Sequence, residues 1–360
     1  MGTRLYRFLV DEWLLLVSLI GLITTSLYLK HWPHYTWRDG APVFLLYALF
    51  VSVKGIEKSR LLLGISGFLE KSHHVPLILV ITTFFLSMFL TIDVSLVTML
   101  PIVLSMHLKQ KGRLVILVAL TAHAGAALTP FGTPQNLFIY TYYDPGFIPF
   151  LKAIAPFSFG LLFLYLLAAL FMGRKPATKL KSGHVHIERP KAFVWILLLG
   201  IVVLSTLHLL PAGTALFAPL YALLIDRRSL KVDYALLLTF LAFIGLTSNI
   251  KALIGGTIEH PGHIFLLSSL TSQVLSNVPT TLLFEKFTSQ WQALLWGTNV
   301  GGYGTLVAAI ANLITYRIYR ASAPKNVECA FLRNFTLAGF LSFFAGFVIH
   351  FMLYNHLYRF

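Results

Sequence analysis

Four short polar stretches interrupt an otherwise apolar chain, and their side chains are the groups able to bind an ion or a small polar molecule. The first is MFLTIDVSLVTMLPIV around Asp93, and the second is HAGAALTPFGTPQNLFIY, residues 123–140. The third is QVLSNVPTTLLF around Asn277, and the fourth is NVGGYGTLVAAIANLITY, residues 299–316. The candidate ion or substrate ligands are Thr91, Asp93, Ser95, His123, Thr129, Thr133, Asn136, Ser276, Asn277, Thr280, Asn299, Thr305 and Asn312.

The chemistry differs among these groups. A carboxylate such as Asp93 is costly inside an apolar run and persists mostly where a pathway uses it, so it predicts a cation or proton site; capping of the next helix is a compatible alternative. His123 is either a titrating proton carrier or a structural hydrogen-bonding group. A single hydroxyl more often bonds its own helix, but a set clustered at four interruptions indicates a site. Five glycines permit close backbone approach there: Gly125, Gly132, Gly301, Gly302 and Gly304.

Composition places these stretches in a membrane. Of 360 residues, 57% are hydrophobic and 11% charged, and the mean hydropathy is +0.78, whereas a soluble domain has roughly 25% charged residues. The chain is therefore predicted to be an all-α polytopic membrane protein. Its net charge of +15 then indicates cytoplasmic loops beside anionic lipid rather than nucleic-acid binding. The single cysteine, Cys329, excludes an intramolecular disulfide and a Cys/Cys metal site.

The elements that must position the polar stretches are spanning helices. Long apolar runs near 8–29, 150–172, 191–210, 234–250 and 331–357 predict spans, and shorter ones at 41–54, 61–70 and 213–225 are further candidates. The interrupted regions predict re-entrant hairpins at 76–108 and 262–287 and broken helices at 113–145 and 290–320. With the basic linker 174–190 in the cytoplasm, the expected topology is ten spans and two hairpins, with both termini outside the plasma (inner) membrane.

The chain also repeats itself. Aligning residues 123–140 with 299–316 matches Gly125 with Gly301, Thr129 with Thr305, Asn136 with Asn312, Leu137 with Leu313, and Tyr140 with Tyr316. Residues 1–173 and 191–360 then each read as five spans plus one hairpin, and an odd number of spans makes the second repeat inverted. Paired broken segments in inverted repeats are typical of secondary transporters, whose half-helix ends attract ions at the bilayer midplane.

These motifs resemble the ion transporter superfamily, which includes arsenite permeases, NhaD-type antiporters, citrate carriers and divalent-anion/sodium symporters. SNVPTTLL (276–283), GTNVGGYGTLVAAIANLI (297–314), FLTIDVSLVTMLPIV (89–103) and GTPQNLF (132–138) carry the similarity. The resemblance implies a ten-span core, a homodimer and an elevator-like motion. Ser276 and Asn277 match the hairpin signature of that group, whereas Ile92 stands where its members commonly carry asparagine.

The sequence leaves three functions to compare. The first is a secondary transporter that couples a small anion, oxyanion or metalloid acid to a sodium or proton gradient; the absence of Lys and Arg from the four stretches favours a small or weakly charged substrate. The second is a sodium/proton antiporter. An intramembrane enzyme finds no support, because the chain has no HExxH, no GxSxG and no clustered carboxylate pair. No cofactor is expected beyond Na⁺ or H⁺.

Other polar residues lie outside the four stretches. His73–His74 and His184/His186 are interpreted as loop histidines, and Glu57 and Glu70 are interpreted as parts of a structural helix.

Overall fold

The computed structural model describes residues 12–64, 74–106, 111–172, 188–322 and 327–357. These ranges form fifteen α-helices and a few 3-10 turns, with no β-strand among them. The helices are α1 (Trp13–Leu29), α2 (Trp37–Lys58), α3 (Val75–Phe89), α4 (Ile92–Ser105), α5 (Lys111–Ala127), α6 (Pro134–Tyr143), α7 (Phe147–Phe171), α8 (Arg189–Thr206), α9 (Phe217–Leu224), α10 (Tyr234–Ile254), α11 (Pro261–Leu275), α12 (Asn277–Phe284), α13 (Trp291–Gly301), α14 (Ile310–Ser322) and α15 (Glu328–Leu357).

Five of these helices, α2, α7, α8, α10 and α15, are long and apolar enough to cross a membrane. Large apolar side chains such as Phe163 on α7 and Leu341 on α15 are exposed on the outside of the bundle, where only lipid would shield them. The chain is therefore an integral membrane protein with helical spans. The candidate span at 213–225 is a 3-10 turn followed by the eight-residue α9, which is shorter than a standard crossing, and the count of ten spans stays a prediction.

Two helix–turn–helix units and two interrupted helices form the centre of the bundle. α3 and α4 are joined by Leu90 and Thr91, and α11 and α12 meet at Ser276, whose φ is +71°. α5 is separated from α6 by residues 128–133, and α13 from α14 by residues 302–309. All four interruptions fall within the ranges predicted for the hairpins and the broken helices.

Each helix–turn–helix unit packs along the interrupted helix that follows it, α3 against α5 and α11 against α13. A glycine makes both contacts close. A Cβ added at Gly125 would lie 2.2 Å from the carbonyl oxygen of Phe84, and one added at Gly301 would lie 2.6 Å from the Cβ of Ser272. Because neither backbone can accommodate a side chain, these glycines set the distance between the paired helices.

We predict that Gly125→Ala destabilises the protein by about 1–3 kcal/mol, because the new methyl group forces α3 away from α5. The measurement is the Tm of the purified protein in detergent. Gly200→Ala in α8 is the matched control, since nothing lies within 4 Å of a Cβ there and alanine favours the helix. Equal Tm values for the two variants would contradict this account of the packing.

Contacts between helix ends identify one face of the bundle. Lys286, after α12, pairs with Asp39 in the first turn of α2 at 3.1 Å. Tyr143, at the end of α6, donates its hydroxyl to the carbonyl oxygen at the end of α12 at 2.9 Å. Asp144 bonds His208, which follows α8, at 2.8 Å. The start of α2 and the ends of α6, α8 and α12 therefore lie together on what we call the first face.

The opposite ends meet on the second face. The backbone amide of Glu188, before α8, donates to the carbonyl oxygen of Ser59, after α2, at 3.2 Å. The ammonium group of Lys111, at the start of α5, donates to the carbonyl oxygen of Leu104, near the end of α4, at 2.7 Å. Since α3 runs antiparallel to α4 in its hairpin, α3 also begins at the second face.

The predicted span at 61–70 lies largely outside the described residues, of which 61–64 form a 3-10 turn. The topology of ten spans and two hairpins with both termini outside therefore stays a prediction. α1 runs parallel to α10, with Asn249 donating to Ser26 at 2.8 Å. Ser248, beside Asn249, accepts from Lys286 of the first face. Trp13 thus lies toward the second face.

Candidate functional site

Each interrupted helix is bridged by its own asparagine. The Nδ2 group of Asn136 donates to the carbonyl oxygens of Ala127 and Thr129, at 2.8 and 3.1 Å. That of Asn312 donates to the carbonyl oxygens of Gly302 and Thr305, at 3.0 and 2.9 Å. The last carbonyl groups of a helix have no partner within it, so both asparagines satisfy backbone groups that the breaks release.

The same two asparagines also join the halves of the chain. Asn299 donates from Nδ2 to Oδ1 of Asn136 at 2.7 Å, and His123 bonds Oδ1 of Asn312 through Nε2 at 2.8 Å. Because Oδ1 can only accept, His123 carries its proton on Nε2. His123 aligns with Asn299, and Asn136 with Asn312. The same contact therefore occurs twice. In one copy the second half donates to the asparagine of the first half, and in the other copy the first half donates to the asparagine of the second half.

The two hairpin tips are held in the same way. The amide of Ile92 donates to the carbonyl oxygen of Gly132 at 3.1 Å, and that of Asn277 to the carbonyl oxygen of Ala308 at 3.0 Å. These contacts align MFLTIDVS (88–95) with QVLSNVPT (273–280). In that register Ile92 is the counterpart of Asn277.

A threonine in each break strengthens this attachment. Thr129 donates its hydroxyl to the carbonyl oxygen of Met88 at 2.8 Å, and Thr305 donates to that of Gln273 at 3.0 Å. Gln273 adds bonds to the backbone of the second break, including one from the amide of Thr305 at 3.1 Å. Sequence reasoning missed Gln273, although a long amide side chain in an apolar hairpin arm was a usable signal.

A small cavity of about 30 Å³ lies where the breaks and tips meet, room for one or two water molecules. Four helices begin at its wall, α4 at Ile92, α6 at Pro134, α12 at Asn277 and α14 at Ile310. The first-turn amides of a helix carry a positive partial charge. The cavity is therefore surrounded by the positive ends of four helices.

The polar side chains on the cavity wall are Asp93, His123, Thr133, Gln135 and Asn277. Asp93 is half-buried and has no hydrogen bond or ion pair with any residue in the described ranges, and the hydroxyl of Thr133 is buried without a hydrogen-bond partner there. Polar groups left without a protein partner in a buried cavity are the ones available to a ligand. Sequence reasoning missed Gln135, which stands inside the predicted motif but was not selected.

The structure divides the predicted site residues by role. Asp93, His123, Thr133 and Asn277 line the cavity. The residues that instead hold the breaks and tips through hydrogen bonds are Thr129, Asn136, Asn299, Thr305 and Asn312. Ser95 and Thr280 use their hydroxyls within their own helices, bonding the carbonyl oxygens of Thr91 and Ser276 at 3.1 and 2.8 Å. Most of the predicted set thus builds the cavity rather than lining it.

The remaining predicted glycines serve the same construction. The carbonyl oxygen of Gly132 receives the tip amide of Ile92. Gly302 faces Asn277 and His123, and Gly304 has a φ of +105°, which a side chain would strain.

No group of three or more His, Cys, Asp or Glu able to hold a metal occurs in the described ranges; His73, His184, His186 and Glu70 lie outside them. Cys329 is exposed.

Comparison with known proteins decides the family. The citrate transporter family matches residues 12–297 of this chain, a range that includes both helix–turn–helix units and the first interrupted helix. The chain belongs to the citrate transporter family. This confirms the resemblance to the ion transporter superfamily, and it identifies the chain as a membrane transporter and not an enzyme.

Two relatives of this citrate transporter family member extend the match. An uncharacterized transporter of Methanocaldococcus jannaschii is 33% identical over 297 residues, covering 77% of this chain and 80% of its own. The inner membrane protein YbiR of Escherichia coli is 32% identical over 314 residues, covering 80% of this chain and 82% of its own. The similarity therefore extends over most of each protein.

Proposed function

We propose that this protein is a secondary active transporter that moves a small anion, a carboxylate, oxyanion or metalloid acid, together with sodium ions or protons. The observation that carries the proposal is the cavity at which four helices begin, with Asp93 on its wall. Helix N-termini bind anions. The free carbonyl ends that would favour a cation are largely occupied by Asn136 and Asn312. The first amides of α4 and α12 are also bonded within the protein, so the remaining first-turn amides and the four helix dipoles are what favours an anion over a cation as the main cargo.

Asp93 supplies a basis for coupling. An ionised carboxylate on the wall would repel an anion bound at the helix N-termini, and the energy of this repulsion is large in a buried site. A proton or a sodium ion on Asp93 removes that repulsion, so anion and cation bind better together than apart. Such mutual dependence is the thermodynamic requirement for symport.

The small size of the cavity supports alternating access. Its volume of about 30 Å³ is too small for a carboxylate anion, so the hairpin tips or the interrupted helices must move before such a substrate binds. We propose an elevator-type motion of two inverted repeats within a homodimer, as the superfamily resemblance implies. The contacts repeated in both halves, such as Asn299–Asn136 and His123–Asn312, support the internal repeat.

We further propose that the second face is cytoplasmic. The basic linker connects to α8 at Glu188 on that face, and the cluster at 226–231 follows α9 close to Trp195 of α8. The linker and this cluster then lie on the cytoplasmic side, in agreement with the positive-inside tendency, and the start of α1 at Trp13 lies toward the same side.

The proposal is tested by uptake of labelled citrate, phosphate, sulfate and arsenite into proteoliposomes under imposed sodium and proton gradients. We expect gradient-dependent uptake of at least one of them. No gradient-dependent flux of any anion would contradict it.

A sodium/proton antiporter is the second candidate. The cavity holds no more than a small ion with a water molecule, and none of its lining residues is Lys or Arg. Sodium-driven proton movement in the absence of any added anion would favour this function.

We predict that Thr133→Val lowers anion uptake while leaving the Tm unchanged, because the hydroxyl of Thr133 has no partner in the described ranges. Thr129→Val is the matched comparison, since it removes the bond to Met88 and should lower stability by about 1–3 kcal/mol. Initial uptake rates and Tm values of both variants are compared. A drop in Tm with Thr133→Val would mean that this hydroxyl is structural.

A further inference from the structure

Glu285, which directly follows α12, is a buried carboxyl group far from the cavity wall. It is 3% exposed, and its Oε2 atom has no hydrogen-bond partner in the described part of the chain. By residue count, eight helical positions of α12 separate it from the hairpin tip at Ser276, about 12 Å along the helix axis. It therefore lies at the first-face end of the same short helix whose other end forms the cavity wall.

The neighbouring cation acts on this carboxyl group through its charge, but it forms its ion pair and hydrogen bond with other residues. The ammonium group of Lys286 is 3.1 Å from Oδ1 of Asp39 in α2 and 2.5 Å from Oγ of Ser248 in α10. It thus ties the end of the second hairpin to two spanning helices. Asp39 also places a second negative charge near Glu285.

The other titratable groups around Glu285 offer no compensation. From α6, Tyr142 and Tyr143 interact with it electrostatically. The hydroxyl of Tyr143 donates hydrogen bonds to the backbone carbonyl oxygens of Glu285 and Thr288, at 2.9 and 3.0 Å, and not to the carboxyl group of Glu285. Glu259, before α11, acts electrostatically on Tyr143, and Arg38 of α2 acts electrostatically on Tyr142.

A buried carboxylate that forms no ion pair costs several kcal/mol, and in practice such a group takes up a proton. The carboxyl group becomes able to release that proton when water reaches it. Movement of the second hairpin away from α2 and α10 would break the Lys286 contacts and expose this end of α12.

We propose that Glu285 is a proton-binding site of the transporter, distinct from Asp93, which is neutral in the closed state and exchanges its proton at the first face when the hairpin moves. The step is the binding of one proton by a carboxylate to give a carboxylic acid, and its reversal. This inference rests on the proposed function. It assigns one of the protons that would drive transport to the carboxyl group of Glu285.

The first test uses thermal stability and does not depend on transport. The Tm of the purified wild-type protein and of Glu285→Gln is measured from about pH 6 to pH 9. Unfolding frees Glu285 to ionise, so the wild type should lose stability relative to Glu285→Gln as the pH rises through this range. Glu57→Gln is the control, because Glu57 is paired with Lys54 at 2.8 Å. Parallel pH profiles for wild type and Glu285→Gln would overturn the proposal.

The second test uses labelled citrate in proteoliposomes. Glu285→Gln should retain citrate exchange at equal pH within about twofold of wild type, and should lose most of a stimulation of about tenfold by an inward proton gradient. Unchanged stimulation, or loss of exchange in a variant that remains folded, would contradict the assignment. If the wild type moves no citrate, the proposed function is in question for that anion, and the pH profile of Tm still decides the role of Glu285.

Discussion

Asn136→Leu is expected to abolish the folded transporter rather than to weaken its substrate binding. The substitution leaves the carbonyl oxygens of Ala127 and Thr129 without their donor and removes the acceptor of Asn299. Each of these three buried groups costs about 1–3 kcal/mol when left unsatisfied, so the total is roughly 3–9 kcal/mol, a large part of the stability of an ordinary protein. The yield of monodisperse protein and its Tm in detergent measure the effect.

Two further leucine variants sharpen this test. Asn312→Leu removes the equivalent bonds in the other half, including the one to His123, and should cause a similar loss. Asn249→Leu is the control, because it removes side-chain bonds to Thr25 and Ser26 but exposes no backbone carbonyl group. A Tm of Asn136→Leu as high as that of Asn249→Leu would mean that the bridging bonds contribute little.

Asp93→Asn is expected to give the opposite result, a stable protein with little coupled transport. Asp93 has no hydrogen bond or ion pair in the described ranges, so replacing its charge with a neutral amide of the same size should leave the Tm unchanged or raise it. Coupling free energies of 1–3 kcal/mol correspond to 5- to 150-fold effects, and we expect gradient-driven uptake to fall by about 10- to 100-fold.

Initial rates of labelled anion uptake with and without a gradient measure this effect. Asp144→Asn is the control, since it removes a carboxylate at the first face, where Asp144 pairs with the exposed His208. Gradient-driven uptake by Asp93→Asn at the wild-type rate would remove Asp93 from the coupling mechanism. A collapse in its Tm would instead indicate a structural role.

The positions of the breaks could be predicted from the sequence because their causes are local. Glycines, prolines and short polar side chains in an apolar run mark where a helix cannot continue, and the match of Asn136 with Asn312 pointed to a repeat. The type of side chain also identified Asp93, because an unpaired carboxylate is costly in such surroundings.

The partners of these residues could not be predicted, because they are set by packing between the halves. Nothing in the sequence near Asn136 shows that it receives a bond from Asn299, or that Asn312 is joined to His123. Those contacts give Asn136, Asn299 and Asn312 a structural role in the site, while His123 also lines the cavity.

The central claim is that the cavity beside Thr133 is a transport site that opens alternately to the two sides of the membrane. Measuring access to Thr133 from each side tests this claim most directly, and the measurement requires no knowledge of the substrate. Thr133→Cys is made in a Cys329→Ser background, which removes the chain's single native cysteine. The thiol is then labelled with a membrane-impermeant methanethiosulfonate in right-side-out and inside-out vesicles. Gly200→Cys in the same background is the control, because that position on α8 is exposed on the outside of the bundle, where lipid excludes the reagent. The account predicts that Thr133→Cys reacts from both faces and Gly200→Cys from neither; reaction of Thr133→Cys from one face only, or from none, would contradict a transport site in this cavity.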